Sequence, residues 1–261
     1  MPYRIAILDL LCERPVYGPL GNAAAVQGFE EAEILALNPQ LNDLEGWDIK
    51  GEWNGIPYQR VSMPKNVEEW FDSGISALII SGSRSNLTMP EDWMEEASEF
   101  VRKAVEHGVP TLGICFGHQL LAQTFGGKLQ RAETGFHNIS TTVLTAEGRK
   151  DPIFSNCDEP IEVIFTHQDH VIEIPPRARL LSTAKHTENA AFRIYSTTGK
   201  AMLAWGVQFH PESTAEICRH ASEVGDMPFS KNDMRIEKLA GKQILHNFSQ
   251  LAIKYSESCN S

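Results

Sequence analysis

Thr111-Leu-Gly-Ile-Cys-Phe-Gly-His-Gln119 predicts a strand, a sharp turn and a helix in immediate succession. Residues 110–114 form a short apolar run, and residues 119–125 have helical character. Cys115 lies at the turn between them, with a glycine two residues away on each side. Because glycine has no β-carbon, the chain can turn tightly at this point. The pattern is typical of a nucleophile elbow, here with cysteine in place of serine.

The predicted turn would place the thiol of Cys115 where it can act as a nucleophile. A thiol in this position projects into a cleft, and the N-terminus of the following helix supplies positive potential that favours a thiolate. The backbone N–H of Phe116 would be available to an oxyanion. Buried cysteine is also a common core residue, so the elbow alone leaves both a catalytic and a structural role open.

A second motif, Ala204-Trp-Gly-Val-Gln-Phe-His-Pro-Glu212, supplies a base and a group to orient it. Residues 207–209 predict a buried strand, and positions two apart on an extended chain face the same side. Glu212 can therefore lie beside the imidazole of His210, and Pro211 keeps His210 extended. Alone this motif is an ordinary strand end, but together with the cysteine elbow it favours a nucleophile–base–orienter arrangement.

These motifs resemble those of the class I glutamine amidotransferases, a family with a Cys-His-Glu triad. The matching stretches are Gly113-Ile-Cys-Phe-Gly-His-Gln119, Gly206-Val-Gln-Phe-His-Pro-Glu212 and, less closely, Ile80-Ser-Gly-Ser-Arg-Ser85. The resemblance implies that Cys115, His210 and Glu212 are catalytic. It also implies a thioester made from the γ-carbonyl of glutamine or another γ-glutamyl compound, with release of ammonia or an amine.

The same resemblance assigns the remaining oxyanion donor to the loop after residue 80. Many relatives have Gly-Gly-Pro where this chain has Gly82-Ser83-Arg84, and one amide of that loop, from Gly82 or Ser83, joins Phe116 in the oxyanion hole. Two roles remain open for Arg84. Its guanidinium could hold a substrate carboxylate, or it could pair with Glu91 or Asp92.

Two further substrate contacts follow from the resemblance. Gln119 is expected to contact the bound glutamyl group, and Asp169 is expected to meet the α-amino group of the substrate, because a desolvated cation needs a carboxylate partner. Asp169 lies in His167-Gln-Asp-His170, whose two histidines could suggest a metal site. No Cys or carboxylate cluster completes the ligand set, so we expect no metal.

Composition narrows the class of protein. The chain has 261 residues with 42% hydrophobic content, and we expect one domain over residues 1–261. Its net charge of −11, with scattered Lys and Arg, argues against nucleic acid as a partner. No apolar run is long enough for a membrane span. Five cysteines without a secretion signal indicate reduced thiols and a cytoplasmic protein. No ATP or dinucleotide fingerprint is present, so no cofactor is expected.

The order of predicted elements indicates an α/β protein, a three-layer flavodoxin-like sandwich. Strands alternate with helices up to the elbow, which predicts a mostly parallel central sheet, and several short strands after residue 127 predict an antiparallel extension. The predicted strands are 3–10, 47–50, 56–61, 77–80, 141–144, 161–166, 179–183, 191–195 and 201–209, with an Asn54-Gly55 hairpin turn. The predicted helices are 22–37, 67–71, 93–106, 119–125 and 234–255, with residues 12–22 as a loop and residues 81–86 facing Cys115.

Three functions are compatible with these features. The first is a free-standing γ-glutamyl hydrolase or peptidase acting on a small γ-glutamyl molecule. The second is a glutaminase subunit that supplies ammonia to a separate synthase, and the third is an inactive scaffold. The complete Cys-His-Glu set argues against the scaffold, and the lack of a fused synthetase region weakens the second hypothesis. The Ser83-Arg84 change favours a substrate other than free glutamine, so we expect cysteine-dependent hydrolysis of a γ-glutamyl amide bond.

Overall fold

A computed structural model describes residues 2–14, 16–41, 43–225 and 238–259, and these form one eleven-stranded sheet flanked by helices. The strands are β1 (Tyr3–Leu8), β2 (Ala32–Leu37), β3 (Lys50–Trp53), β4 (Ile56–Val61), β5 (Ile75–Ile80), β6 (Thr111–Ile114), β7 (Lys128–Leu144), β8 (Ile161–Glu173), β9 (Ala178–Ala184), β10 (Thr187–Tyr195) and β11 (Ala201–Val207). The helices are α1 (Tyr17–Ala25), α2 (Val67–Asp72), α3 (Trp93–His107), α4 (Phe116–Thr124), α5 (Ala215–Glu223) and α6 (Gly241–Cys259). Short 3-10 turns cover Gly148–Lys150 and Pro152–Phe154.

The sheet has a parallel centre and antiparallel edges. Its strand order is β3-β4-β2-β1-β5-β6-β11-β10-β9-β7-β8. All neighbours from β4 to β11 pair in parallel, whereas β3 at one edge and β10, β9, β7 and β8 at the other pair antiparallel. This arrangement confirms the predicted α/β fold with an antiparallel extension.

Both faces of the sheet are covered by helices. Side chains alternate along each strand, so Ile5 and Ile7 of β1 join a core with α1 and α6, whereas Ala6 and Leu8 join a second core with α2, α3 and α4. Burial on both faces explains why the central strands are almost continuously apolar. The three predicted layers are therefore confirmed.

The predicted helix over residues 22–37 is wrong. The chain forms α1 from Tyr17 to Ala25, inside the predicted loop, and residues 32–37 form β2 between β1 and β4. Ala32-Glu-Ile-Leu-Ala-Leu37 consists of residues that favour helices, and a strand buried on both faces shows no polar alternation to reveal it. Pairing with two neighbouring strands outweighs the helical propensity of this segment.

Other boundaries shift in smaller ways. The hairpin turn at Asn54-Gly55 is present, with φ of 51° and 79°, but its first strand is β3 rather than residues 47–50. Strands β7 and β8 extend well beyond the predicted 141–144 and 161–166, because they pair with each other along most of their length. The closing helix is observed as α6, while the predicted start at residue 234 lies outside the described residues. None of the described helices combines the length and apolarity needed to cross a bilayer.

Candidate active site

Cys115 occupies a sharp elbow between β6 and α4. Its backbone has φ 51° and ψ −100°, a conformation that costs free energy for any residue with a β-carbon. The turn is held by Cys115 N–H donating to the carbonyl of Val207 at 2.8 Å. Gly113 and Gly117 are required by close packing, because a β-carbon on either would press on a backbone carbonyl, that of Gly117 or of Ile80. The nucleophile elbow expected from the sequence is therefore the local structure.

The pairing of β11 with β6 brings the two motifs together. Val207 lies beside Ile114 in parallel register, so both strands end at the same edge of the sheet. His210 follows β11, and its Nδ1 lies 2.7 Å from Oε1 of Glu212. The His210 and Glu212 side chains are only 11% and 12% exposed, and Cys115 is 5% exposed. A buried carboxylate this close makes His210 Nδ1 the donor. Nε2 lies 3.4 Å from the carbonyl oxygen of Thr166, and Sγ of Cys115 lies 3.5 Å from the same oxygen.

The charge state of His210 is controlled by two opposed effects. Burial by itself lowers the pKa of His210, because it disfavours the charged form. The negative charges of Glu212 and of the Cys115 thiolate, with hydrogen bonds from both, outweigh burial and raise the pKa of His210 well above 6.5. The surroundings of His210 therefore favour its imidazolium form.

Gln208 is a site residue that the sequence analysis missed. It is fully buried, and its Nε2 donates towards Sγ of Cys115 at 3.7 Å. Its Oε1 accepts from Nε2 of Gln119 at 3.3 Å. The sequence did contain a signal for this role. Gln208 is an amide residue at the end of an otherwise apolar strand, two residues before His210. The sulfur also lies 3.5 Å from the carbonyl oxygen of Thr166.

The loop after β5 faces the elbow, as expected. A β-carbon built on Gly82 would lie 3.1 Å from Cε1 of His210 and 3.9 Å from Cβ of Cys115. Neither Gly82 nor Ser83 has a positive φ, so the serine side chain is accommodated without backbone strain. Within the described residues, the backbone N–H groups of Gly82, Ser83 and Phe116 have no hydrogen-bond acceptor.

These groups line a cleft of about 490 Å³. One wall comes from α1 and the loop before it, a second from residues 81–86, and a third from β7 and β8. Tyr17 lies on the α1 wall, and Pro15 falls outside the described residues. Arg84 is exposed at the cleft, and in the described part of the chain no ion pair joins it to Glu91 or Asp92. Of the two roles considered for Arg84, the pairing with those acids is not observed.

Gln119 and Asp169 lie behind the cleft wall rather than on it. The Asp169 carboxylate is 2% exposed and accepts from Thr88 N–H at 3.0 Å, from Thr88 Oγ1 at 2.7 Å and from Arg131 at 3.2 Å. Nε2 of Gln119 donates to the carbonyl oxygen of Asp169 at 2.6 Å. These two side chains are not among the residues that line the cleft, and they connect β8 to the elbow helix and to the residue 88 turn. Their expected contacts with a substrate stay predictions.

The other buried thiols differ from Cys115 in their surroundings. Burial raises the pKa of Cys12 and of Cys157 to about 11 and that of Cys218 to about 12. None of these three lies at a helix N-terminus beside an imidazole, and all three are protonated at neutral pH. Cys115 is thus the buried thiol whose position suits nucleophilic chemistry.

Comparison with known proteins agrees with this geometry. Residues 52–221 match the family model described as glutamine amidotransferase class-I, a range that includes Cys115, His210 and Glu212. The chain belongs to the class-I glutamine amidotransferase family. The resemblance seen in the motifs is therefore confirmed over more than half of the sequence.

Several curated proteins are similar to this amidotransferase. GMP synthase [glutamine-hydrolyzing] of Thermus thermophilus is 33% identical over 186 residues, which cover 71% of this chain and 30% of that protein. A Sulfolobus acidocaldarius protein, described as one subunit of a glutamine-hydrolyzing GMP synthase, is 29% identical, covering 69% and 87%. Gamma-glutamyl peptidase 4 of Arabidopsis thaliana is 32% identical, covering 53% and 54%. The match thus spans less than a third of the full-length GMP synthase.

A solved structure supports the fold. The crystal structure of a glutamine amidotransferase from Thermotoga maritima superposes with a TM-score of 0.65, covering 97% of this chain and 98% of that one, at 18% sequence identity. The architecture is shared along nearly the whole chain although few residues are identical.

Proposed function

We propose that this amidotransferase hydrolyses a γ-glutamyl amide bond, with Cys115 as nucleophile, His210 as acid and base, and Glu212 as the group that orients His210. The observation that carries the proposal is the 2.7 Å contact between His210 Nδ1 and Glu212 Oε1, in a cleft that His210 shares with the elbow cysteine. The base is then held with Nε2 towards the sulfur.

In the proposed reaction, Sγ of Cys115 attacks the γ-carbonyl carbon of the substrate. The oxyanion accepts hydrogen bonds from Phe116 N–H and from Gly82 or Ser83 N–H, none of which has a partner among the described residues. The C–N bond breaks as His210 gives its proton to the leaving amine, which leaves a γ-glutamyl thioester on Cys115. Water, deprotonated by His210, then attacks the thioester and releases glutamate.

Two observations favour an amide larger than glutamine. The cleft has room beyond a glutamyl group, with Tyr17 on one wall, and the similarity to a γ-glutamyl peptidase supports a substrate with an organic leaving group. The second candidate is a glutaminase subunit for a separate synthase. It is favoured by the match to the Sulfolobus protein, which is described as one subunit of a GMP synthase and is covered over 87% of its length.

The test is hydrolysis by the purified protein of glutamine and of a series of γ-glutamyl amides, followed by glutamate release. We expect turnover of at least one γ-glutamyl amide without any partner, faster than turnover of glutamine. A protein that is inert towards the whole series, but becomes a glutaminase when a synthase is added, would support the second candidate.

The assignment of Cys115 is tested with Cys115→Ser, and Cys218→Ser is the matched control at a buried thiol outside the cleft. We expect Cys115→Ser to fold normally and to lose more than nine-tenths of the activity, because serine is a far weaker nucleophile beside this base. Mass spectrometry of the quenched wild type should show a glutamyl adduct on Cys115. An active Cys115→Ser protein would refute the assignment.

A further inference from the structure

The cleft is positively charged in a strongly acidic protein. The chain carries a net charge of −11, yet among the described residues the charged ones that line the cleft are three arginines, Arg14, Arg84 and Arg131, and one carboxylate, Glu212. Glu212 pairs with His210, and Cys115, His210 and Glu212 together carry one negative charge whether or not the thiol proton has moved to His210. Arg131 is matched by the buried carboxylate of Asp169 at 3.2 Å. As far as the described residues show, the cleft therefore has a surplus of one positive charge, and Arg14 and Arg84 are the cations in it that form no ion pair.

Arg14 and Arg84 have no anionic partner in the described part of the chain. No carboxylate among those residues lies within 4.0 Å of either guanidinium. Arg14 lies 5.9 Å from the centre of the Tyr17 ring, on the α1 wall. Arg84 belongs to the loop of residues 81–86, whose amides face the elbow. Arg14 and Arg84 therefore reach the cleft from two different segments of the chain. Both are available to a bound anion.

The charge of the substrate can be compared with this surplus. A γ-glutamyl group carries one α-carboxylate and one α-ammonium group, so its net charge is zero and glutamine as a whole is neutral. The surplus positive charge of the cleft exceeds what a neutral amide requires. Arginine binds carboxylates through paired, charge-assisted hydrogen bonds, and the low polarity of a cleft strengthens them.

We infer that the leaving amine of the substrate is itself an amino acid or a peptide with a free carboxylate, and that Arg14 and Arg84 are the specificity-determining residues that bind it. The inference rests on the proposed function and narrows its substrate to γ-glutamyl amino acids or peptides. The glutamyl part is attacked by Cys115, and the leaving part extends along the α1 wall, past Tyr17. Hydrolysis of the γ-amide bond then yields glutamate and the free amino acid or peptide, with one water consumed.

The test uses two substrates that differ in one charge, γ-glutamylglycine and γ-glutamylglycinamide. We expect kcat/KM of the wild type to be about tenfold higher for the acid, the size expected of one charge-assisted contact in a partly exposed site. Arg14→Gln and Arg84→Gln should each bring the ratio of the two kcat/KM values close to one, mainly through KM for γ-glutamylglycine. Arg102→Gln, an exposed arginine on α3, is the matched control and should change neither.

Binding provides a readout that does not need turnover. In Cys115→Ala, calorimetry should show tighter binding of γ-glutamylglycine than of the glycinamide, and Arg14→Gln or Arg84→Gln in that background should make the two equal. Equal kcat/KM for both substrates in the wild type would overturn the inference and leave the proposed function standing. A preference for the acid that survives both arginine substitutions would overturn the assignment to these residues. Lack of hydrolysis of every γ-glutamyl compound, including glutamine, would overturn the proposed function itself.

Discussion

The geometry around His210 separates the roles of neighbouring residues. Its Nδ1 is committed to Glu212, so proton transfer to and from the reacting groups is left to Nε2. Glu212 holds the ring and stabilises its positive charge, but it does not touch the thiol. Substitution of the base should therefore lower kcat more than substitution of the carboxylate that orients it.

We predict that His210→Asn lowers kcat by about 10²–10⁴-fold, because acid–base catalysis of both half-reactions is lost. Glu212→Gln should have a smaller effect on kcat, since the neutral amide can still hold the ring. It should also lower the pH at which the imidazolium of His210 is lost, because the Glu212 charge raises the pKa of His210. Steady-state rates from pH 5 to pH 10 test both, and unchanged kcat in His210→Asn would show that the base lies elsewhere.

Gln208 acts on the sulfur rather than on the substrate. Its Nε2 is a donor that a thiolate accepts more strongly than a thiol, so it should stabilise the reactive form of Cys115. We predict that Gln208→Leu, a substitution of similar volume, slows alkylation of Cys115 by iodoacetamide at pH 7 by about tenfold. Mass-spectrometric rates at Cys115 and at the exposed Cys259 of the same protein give the comparison. Equal slowing at both thiols, or at neither, would contradict this role.

At the scale of elements, the elbow depends on how closely β5, β6 and α4 approach one another. Gly117 is in the first turn of α4, and a β-carbon there would press on the carbonyl and side chain of Ile80 in β5. The active site is therefore built on a three-element contact that tolerates no side chain. Packing at this point, rather than helix propensity, sets the position of Cys115.

We predict that Gly117→Ala lowers the free energy of unfolding by about 3 kcal/mol or more, because backbone atoms must move to relieve the overlap. Gly199→Ala is the control. It has φ 79° in a turn with open space around it, so only the cost of a left-handed alanine applies, about 1–2 kcal/mol. Urea denaturation of both variants measures the difference, and a Gly117→Ala protein no less stable than Gly199→Ala would refute the packing argument.

At the scale of the whole molecule, a buried histidine links stability to pH. His118 is fully buried in α4, with its ring 4.8 Å from that of Phe192 in β10. Burial lowers the pKa of His118 to about 4, against about 6.5 in the unfolded chain. Between these values the unfolded chain binds more protons, so the free energy of unfolding falls as the pH falls from about 6.5 to about 4.

We predict that His118→Leu removes the His118 part of this dependence, since leucine has a similar size and does not titrate. His167 and His186, whose pKa values burial lowers to about 3 and about 4, keep their own contributions. The difference in unfolding free energy between the variant and the wild type should shift by about 3 kcal/mol in favour of the variant between pH 7 and pH 4. The titration of His210 does not produce the same dependence of stability on pH. Its raised folded-state pKa gives a contribution that is complete below about pH 6.5 and is lost as the pH rises through that higher pKa. A constant difference across this pH range would rule out His118 as the source.

Short-range sequence patterns were sufficient to predict the elements whose signals lie within a few residues of each other. The elbow, the Asn54-Gly55 turn and α3 follow from periodicity, turn residues and glycine positions within a few residues of each other. The pairing of His210 with Glu212 also follows, because a two-residue spacing on an extended chain places both side chains on one side.

The sequence by itself thus determined the fold class and the family, and it predicted the nucleophile–base–orienter set from two motifs that are each local. The meeting of those two motifs depends on the pairing of β6 with β11. Only the tertiary structure decided that residues 32–37 form a strand, because strand pairing overrode their helical propensity. It likewise placed Nε2 of Gln208 3.7 Å from the sulfur, paired Asp169 with Arg131, and left Arg14 and Arg84 at the cleft without an ion pair among the described residues. Those outcomes depend on which segments, distant in sequence, pack together. That packing determines how deeply a side chain is buried and which charges lie near it.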